Sequence, residues 1–238
     1  MIYKFLSFIL IMNSIQNMYN ILLESYGKQG WWPLTSITEN KGYHPGRYYL
    51  PRTHGEIFEV YIGAILTQAT NWKTVEKAIK NLKELDALSP EKLIITDRTS
   101  VIDAIKSTGY YNQKYKRLLA ISEYYLKLGE RKPTRHELLG IDGIGKETAD
   151  SILLYAYRDP VFVVDAYTIR ILENHKLIKK KEKYESVQKL FSDSIPRDFK
   201  VYQEFHALLV EHAKRYYIKT TPKEKKKKII FDPLLMEI

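Results

Sequence analysis

The sequence has 238 residues, a formal net charge of +10 and an isoelectric point near 9.4. It contains no cysteine, which excludes disulfides, thiolate metal sites and cysteine nucleophiles. The length allows one domain or two closely packed ones, with a core that needs no covalent staple. The excess of lysine and arginine favours a polyanionic partner, because binding releases that partner's counterions.

The first twelve residues, MIYKFLSFILIM, are apolar apart from one lysine. This stretch is too short to span a bilayer, and no small-residue cleavage site follows it. Three explanations stay open: a helix docked on the rest of the chain, a start codon placed too early with Met12 or Met18 as the true start, and a membrane anchor. Over residues 14–26 apolar side chains recur at helical spacing, which predicts an amphipathic helix that ends at Gly27.

Two adjacent tryptophans, Trp31 and Trp32, stand before Pro33, which stops any further helix. Such a pair beside a helix end is typical of a packing corner. Residues 35–55 then show little periodicity and predict a long surface loop that touches a ligand or covers a pocket.

Helical spacing returns over residues 56–66, and the polar stretch Thr67–Thr70 ends that helix. A second helix is predicted over residues 73–85. Its first free N–H groups require a cap, and both Thr70 and Asn71 are suitable.

Ser89 and Pro90 predict the start of another helix, with proline at its first position. Thr99 or Ser100 is expected to cap the following helix, which ends at Gly109.

The segment TGYYNQKYKRLLAISEYYL predicts a turn and a further helix. Its inward side chains are predicted to be Leu118, Leu119, Ile121 and Tyr125. Its basic side chains are predicted to form a solvated face, Lys114, Lys116 and Arg117. Thr134 is expected to cap a short helix that follows.

Three glycines, Gly140, Gly143 and Gly145, then mark a turn between two helical patterns. A glycine turn that opens a helix suits a phosphate, because the backbone approaches an anion closely and the first N–H groups of the helix lack partners. Lys146 adds a positive charge there. The alternative is a plain αα-hairpin, with Asp165 further along as an ordinary helix cap.

After Asp165 the pattern predicts helices over residues 166–174, 184–194 and 199–217. One side of the last helix is predicted to be buried, with Tyr202, Phe205, Leu208, Leu209 and His212. His206 and His212 are six residues apart and do not share a face as a zinc pair would. Both are interpreted as packing or hydrogen-bonded histidines, and no metal site is expected. With no strand of convincing length and no repeat, the fold class is all-α.

The motif GIDGIGKETA followed by VVDAYTIR resembles the helix-hairpin-helix and Gly-Pro-Asp signature of the endonuclease III superfamily of DNA glycosylases. The resemblance extends to ILTQATNW, TGYYNQKYKRL and FHALLVEHAKRYY, and so covers about residues 30–217. It implies a two-lobed helical fold: a six-helix barrel lobe over residues 49–159, and a second lobe from residues 13–48 and 160–217. A cleft between the lobes would carry the hairpin on one lip and Asp165 on the other.

The resemblance also implies function. We expect a glycosylase of base excision repair that acts as a monomer on double-stranded DNA with a damaged base, in the cytoplasm at the nucleoid and away from membranes. Asp165 would stabilise the oxocarbenium character of the sugar and align or deprotonate water. The side chain at Gln68 would fill the gap left by the everted nucleotide. The phosphate grip would come from the hairpin residues Gly143, Gly145, Lys146 and Thr148.

In relatives that excise alkylated bases, aromatic residues at positions similar to Trp31, Trp32 and Trp72 form the base pocket. An aromatic face attracts a cationic alkylated base by about 0.5–2 kcal/mol. Packing in the core is the alternative for all three tryptophans.

The chain departs from the family at two places. In GIGKE, Glu147 stands where bifunctional members carry an amine, and Lys146 comes one residue earlier. One step rotates a helical side chain by about 100°, so AP-lyase chemistry is not expected. Glu147 would polarise water or hold substrate, or simply interact favourably with the helix dipole.

The second departure concerns the iron–sulfur loop of many relatives, with cysteines spaced C-x6-C-x2-C-x5-C. These positions would fall at Tyr217, Glu224, Lys227 and Pro233, none of which supplies a thiolate, so no cluster and no other cofactor is expected. Residues 218–238 instead predict a basic tail that touches phosphate or is disordered.

The resulting hypothesis is a monofunctional glycosylase for damaged bases, with alkylated purines as candidates. The alternatives are a glycosylase with AP-lyase activity on oxidised pyrimidines or mismatches, and a non-catalytic DNA-binding protein.

Overall fold

The computed structural model describes residues 2–217 and Asp232, with side chains from Leu10 onward. Every regular element in that part of the chain is a helix, which confirms the all-α prediction. The α-helices are α1 (Ile2–Tyr26), α2 (His54–Leu66), α3 (Trp72–Glu84), α4 (Pro90–Ile95), α5 (Arg98–Ile105), α6 (Tyr111–Leu128), α7 (Arg135–Leu139), α8 (Lys146–Ser151), α9 (Ala166–Asn174), α10 (Tyr184–Ser194) and α11 (Phe199–Tyr216). A π-helical segment, Ile152–Ala156, continues α8.

The described chain divides into two compact units. One unit comprises the chain up to Trp31 together with the chain from Pro160 onward, and the other runs from Trp32 to Asp159.

Helix α2 is the buried centre of the Trp32–Asp159 unit, packed by α3, α6 and the π-helical segment. All its residues from Phe58 to Leu66 are buried. Because this stretch is apolar on nearly every side, with Glu59 as its one buried charged residue, neighbours must surround it. A capping box fixes its start, in which Thr53 accepts from the Glu56 amide and the Glu56 side chain accepts from the Thr53 amide.

Polar caps set the starts of the surrounding helices. Asn71 caps α3, as one of the two predicted candidates, and Ser89 caps α4 with Pro90 at the first position. The expected cap of α5 is wrong: Asp97 performs this role, and its carboxylate accepts from the Ser100 amide at 2.9 Å. The helix begins earlier than expected, so Ser100 lies in its first turn as a donor.

Lys114 corrects a second expectation, because it is fully buried and does not face solvent. Its Nζ donates to the carbonyl oxygens of Leu66 at 2.8 Å and Thr108 at 2.9 Å. The lysine therefore satisfies backbone acceptors at the end of α2 and in the short 3₁₀ turn before Gly109. Burial, with a smaller contribution from Arg117, lowers the pKa of Lys114 to about 8.

In the other unit, α1 is one continuous helix, so residues 2–12 extend the helix predicted over residues 14–26. Ile15, Met18 and Leu22 are fully buried, and α1 packs on α10 and α11. Helices α9 and α10 have the predicted bounds. The predicted buried side of α11 is confirmed, since all five of its residues are buried. Within the described residues, none of the helices has the length and apolarity that a membrane crossing requires.

A polar cluster lies at the end of α11, around Asp232. Its Oδ2 accepts from the Tyr217 hydroxyl at 2.6 Å, from His212 Nε2 at 2.8 Å and from His175 Nε2 at 3.3 Å. The other nitrogen of His212 accepts from the Tyr26 hydroxyl at 2.9 Å in this tautomer, which confirms His212 as a hydrogen-bonded histidine. The cluster ties Asp232 to α11 and to the end of α9, and His212 in turn links it to α1.

Tyr217 occupies the first of the four positions where the resemblance places the cysteines of an iron–sulfur cluster. The other three positions, Glu224, Lys227 and Pro233, lie outside the described residues. Most of the basic tail predicted over residues 218–238 lies outside them as well.

Candidate nucleic-acid interface and catalytic residues

Two short helices, α7 and α8, form a hairpin around the glycine turn. Thr134 caps α7 in a capping box with Glu137, as predicted. Arg135 on α7 makes a bidentate ion pair with the fully buried Asp150 on α8, at 2.6 and 2.9 Å. Because two parallel hydrogen bonds fix both distance and orientation, this pair holds the two helices in register.

The turn combines one glycine that the fold requires with one that it does not. Gly143 has φ +77°, and a Cβ added there would lie 2.1 Å from Nε of Arg117. Gly145 has φ −89°, is exposed, and a Cβ there would meet nothing within 4 Å. Lys146 follows at the first position of α8 and is also exposed. This end of the hairpin thus presents bare backbone, first-turn N–H groups and a positive charge, which together suit a phosphate.

Gln68 is bound to the hairpin and does not project freely. Its Nε2 donates to the Gly143 carbonyl at 3.1 Å and to Thr148 Oγ1 at 3.0 Å. Its Oε1 accepts from Arg117 Nη1 at 2.6 Å. The structure therefore brings three of the predicted DNA-contact residues together, with Arg117 as a fourth member that sequence reasoning assigned to a solvated face.

Glu147 is exposed in the first turn of α8. Its backbone carbonyl accepts from the hydroxyl of Ser151 at 2.7 Å. A carboxylate at this end of a helix is electrostatically favourable, and it is accessible to a ligand bound at the turn.

Asp165 is the N-cap of α9 and is only 8% exposed. Its Oδ1 accepts from the Thr168 amide at 2.7 Å. Its Oδ2 lies 3.6 Å from Nε2 of His206, a buried residue of α11. Burial raises the pKa of Asp165, but His206 and the Thr168 cap outweigh it and hold the pKa below its ordinary value. The carboxylate is therefore ionised at neutral pH although it is almost fully buried.

The three tryptophans lie in two different surroundings. Trp32 and Trp72 belong to the core of one unit, where their rings meet edge to face at 5.2 Å, and Trp32 also contacts Tyr155. The approach of Trp32 depends on Gly63, since a Cβ there would lie 2.8 Å from the indole Nε1. Trp31 belongs to the same unit as Asp165 and is partly exposed.

Two residues of α11 near these groups were not predicted from the sequence to be site residues. His206 approaches Asp165, and Lys214 places its ammonium 5.4 Å from the ring centroid of Trp31. Burial lowers the pKa of Lys214, against an opposing effect of Glu211 and Asp165. Among the described residues, no three His, Asp or Glu side chains are arranged to hold a metal ion.

Comparison with known proteins agrees with this geometry. Residues 62–197, which include the hairpin and Asp165, match the model of the HhH-GPD superfamily base excision DNA repair proteins. The chain belongs to this superfamily. This HhH-GPD protein is accordingly a DNA glycosylase of base excision repair, with the helical architecture that the resemblance implies.

Individual relatives agree with the family. The HhH-GPD chain is 41% identical to a protein of Methanocaldococcus jannaschii assigned to the DNA repair glycosylases. The alignment of 213 residues covers 85% of this chain and 88% of the relative. It is 33% identical to endonuclease III of Thermotoga maritima, over 61% of this chain and 71% of the relative. A solved structure of Helicobacter pylori 3-methyladenine DNA glycosylase bound to 1,N6-ethenoadenine matches with a TM-score of 0.61 and 30% identity, over 71% of this chain and 92% of that chain.

Proposed function

We propose that this HhH-GPD protein is a monofunctional glycosylase that hydrolyses the N-glycosidic bond of a damaged base in duplex DNA, with alkylated purines as its substrate class. The observation that carries the proposal is Asp165, a nearly buried carboxylate whose pKa lies below its ordinary value. A buried carboxylate that stays ionised is suited to stabilise a positive charge that develops beside it.

The chemistry follows from how the two carboxylate oxygens are used. Oδ1 is occupied by the Thr168 amide, which anchors that oxygen of the group. Oδ2 is then directed toward a sugar that acquires oxocarbenium character as the base departs, and it aligns the water that attacks the sugar carbon. The bond between that carbon and the base nitrogen breaks with its electron pair on the base, and water forms the new C–O bond while one of its protons passes to the Asp165 carboxylate.

DNA binding is assigned to the hairpin. The exposed Gly145 and Lys146 would contact phosphate through the backbone and an ammonium group, and the net charge of +10 adds long-range attraction. Gln68, beside the same turn, is the candidate to occupy the space of an everted nucleotide. Affinity is expected to fall steeply with salt, because each neutralised phosphate releases counterions.

Monofunctional action is proposed because of the order Lys146–Glu147 at the start of α8. In the resembled family, bifunctional members place their amine at the position held here by Glu147. Glu147 is thus proposed to polarise water or hold substrate. The alternative is an endonuclease III-like glycosylase with AP-lyase activity, and the chain is 33% identical to an endonuclease III. The presence of a reactive amine is therefore the point to test.

Of the three tryptophans, Trp31 is the best candidate for stacking on a base, because it is partly exposed and belongs to the unit that carries Asp165. Lys214 lies over its ring and would repel a cationic base stacked on that face. The H. pylori relative was solved with 1,N6-ethenoadenine, a neutral alkylated purine. Both charge classes of alkylated base must therefore be compared.

The deciding experiment is base release under single-turnover conditions. Four duplexes are used, which carry a cationic N-methylated purine, 1,N6-ethenoadenine, thymine glycol or no lesion, and wild type is compared with Asp165→Asn. We expect wild type to release an alkylated purine and Asp165→Asn to be at least 100-fold slower. Salt-sensitive binding without release from any duplex would instead identify a non-catalytic DNA-binding protein.

A second measurement separates hydrolase from lyase. Borohydride is added to the protein on a duplex with an abasic site, and wild type is compared with Lys146→Ala and Lys214→Ala. We expect no covalent adduct, because a Schiff base requires an amine placed at the sugar carbon. An adduct lost in one of the two lysine variants would refute monofunctional action and identify the amine.

A further inference from the structure

We propose that His206 is a positioning residue that keeps the Asp165 carboxylate ionised and aimed for catalysis. This inference rests on the proposed role of Asp165 and extends it to a second residue, on α11.

The geometry assigns different partners to the two oxygens of Asp165. The backbone amide of Thr168 holds Oδ1 at 2.7 Å, and His206 Nε2 approaches Oδ2 at 3.6 Å. Both side chains are nearly buried, at 8% exposed for Asp165 and 6% for His206. His206 is also fixed in place, because its neighbours on α11 from Tyr202 to Leu209 are all buried.

Burial creates the need for such a partner. A carboxylate removed from water favours its neutral form unless hydrogen bonds or positive charge oppose that tendency. The Thr168 amide acts on Oδ1, so it does not restrain the oxygen that the proposed mechanism directs at the sugar. The imidazole supplies an N–H or a positive charge on the side of Oδ2, and so both lowers the pKa of Asp165 and limits rotation of the carboxylate.

Two other polar groups near Asp165 belong to α11 and α10. Lys214, on α11, interacts with the Asp165 charge while its ammonium lies over Trp31. From α10, the Tyr184 hydroxyl accepts from the Val164 amide at 3.3 Å, next to Asp165 in the chain. These groups remain unchanged when His206 is replaced, so a change in the pH profile of a His206 variant reports on the imidazole.

The test compares an apolar replacement with a hydrogen-bonding one. Single-turnover release is measured from pH 4.5 to 8.5 on the duplex of the panel above that wild type processes fastest. For His206→Phe we expect a rate 10- to 100-fold lower at pH 7, with the acid limb of the profile moved upward by about one pH unit. His206→Gln retains an N–H donor, and we expect it to keep the rate within about fivefold and the acid limb near that of wild type.

Two further variants identify the path of the effect. In an Asp165→Asn background, His206→Phe should cause no additional loss, because a residue that acts through Asp165 has nothing left to act on. His206→Leu provides the same apolar comparison should His206→Phe not fold. Equal losses of rate and thermal stability in the Phe and Gln variants, with the acid limb unmoved in both, would overturn the proposal and leave a packing role.

Failure of the positioning role of His206 can be distinguished from failure of the proposed function. If Asp165→Asn releases bases at the wild-type rate, the proposed function itself fails. If Asp165→Asn is inactive while His206→Phe keeps the wild-type rate and acid limb, only the positioning role of His206 fails.

Discussion

Two glycines of the hairpin turn, Gly143 and Gly145, allow the role of the turn in folding to be separated from its proposed role in DNA binding. Gly143→Ala introduces a side chain at φ +77° and into the space of Arg117, whereas Gly145→Ala introduces one at φ −89° into open space. The two variants have the same chemical change two residues apart, so each is the control for the other.

The structure sets the size of both effects. At Gly143 an alanine adopts a left-handed conformation at a cost of about 1–2 kcal/mol, and it displaces the Arg117 side chain that donates to Gln68, worth about another 0.5–1 kcal/mol. We expect a loss near 2 kcal/mol and a Tm lower by about 6 °C. At Gly145 the weaker helix cap and the stiffer unfolded chain offset each other, which leaves a change within about 0.5 kcal/mol.

The assays are urea unfolding and affinity for a duplex with an abasic site at several salt concentrations. Gly143→Ala should lower stability. Gly145→Ala should keep stability and lower affinity about tenfold, because its methyl group stands where the phosphate must approach the backbone. Equal stability loss in both variants would refute the assignment of strain to Gly143. Unchanged affinity in Gly145→Ala would refute the phosphate site at the turn.

Three further outcomes are expected from buried side chains. The folded pKa of Lys114 is about 8 and its unfolded pKa is near 10.4, so the folded form loses its proton first as pH rises. Between pH 8 and 9.5 the free energy of unfolding of wild type should therefore rise by about 1.5 kcal/mol relative to that of Lys114→Met. A difference that does not change with pH would contradict the buried charge. Asp232→Asn should lose about 2 kcal/mol at pH 7, measured by urea unfolding. Hydrogen bonds from His175, His212 and Tyr217 outweigh burial and hold the pKa of Asp232 below its ordinary value, so this advantage of wild type should shrink progressively as pH falls below about 4. An advantage that stays undiminished in acid would argue against the cluster. Because Trp72 is buried, Trp72→Ala should lower the free energy of unfolding by about 3–5 kcal/mol, and excision and abasic-site affinity should fall together. If excision is lost while affinity for an abasic site is kept, Trp72 has the base-pocket role instead.

Local rules predicted much of the helical framework. The bounds of α9 and α10 were predictable because periodicity, caps and turn residues agree in those segments. Lys114 was misassigned although the pattern held the signal, since positions 114, 118, 121 and 125 share one face of α6. The prediction placed Lys114 at the surface because lysine is usually exposed, although its position on the helix indicated a buried side. A long lysine side chain can be buried without an acidic partner when it donates to backbone carbonyl oxygens.

The surroundings of the predicted site residues were not accessible in the same way. The contact between His206 and Asp165 joins α11 to the cap of α9, and the bond between Arg117 and Gln68 joins α6 to the turn after α2 in the other unit. No local spacing encodes either contact, because both depend on how the helices pack. A lone buried histidine in an apolar helix face was the nearest available signal.

The hydrogen bonds of Gln68 have a consequence for its proposed role in the space of an everted nucleotide, since they would oppose its extension into undamaged DNA. This side chain can leave the hairpin only by giving up its contacts with Gly143, Thr148 and Arg117, at a cost of about 2–3 kcal/mol. Intact base pairs add their own resistance to opening, so extension of Gln68 over normal sequence would be rare and brief. In this proposed role, weakly stacked lesions would lower the second barrier alone, which would bias the dwell time toward them before any base is inspected in a pocket.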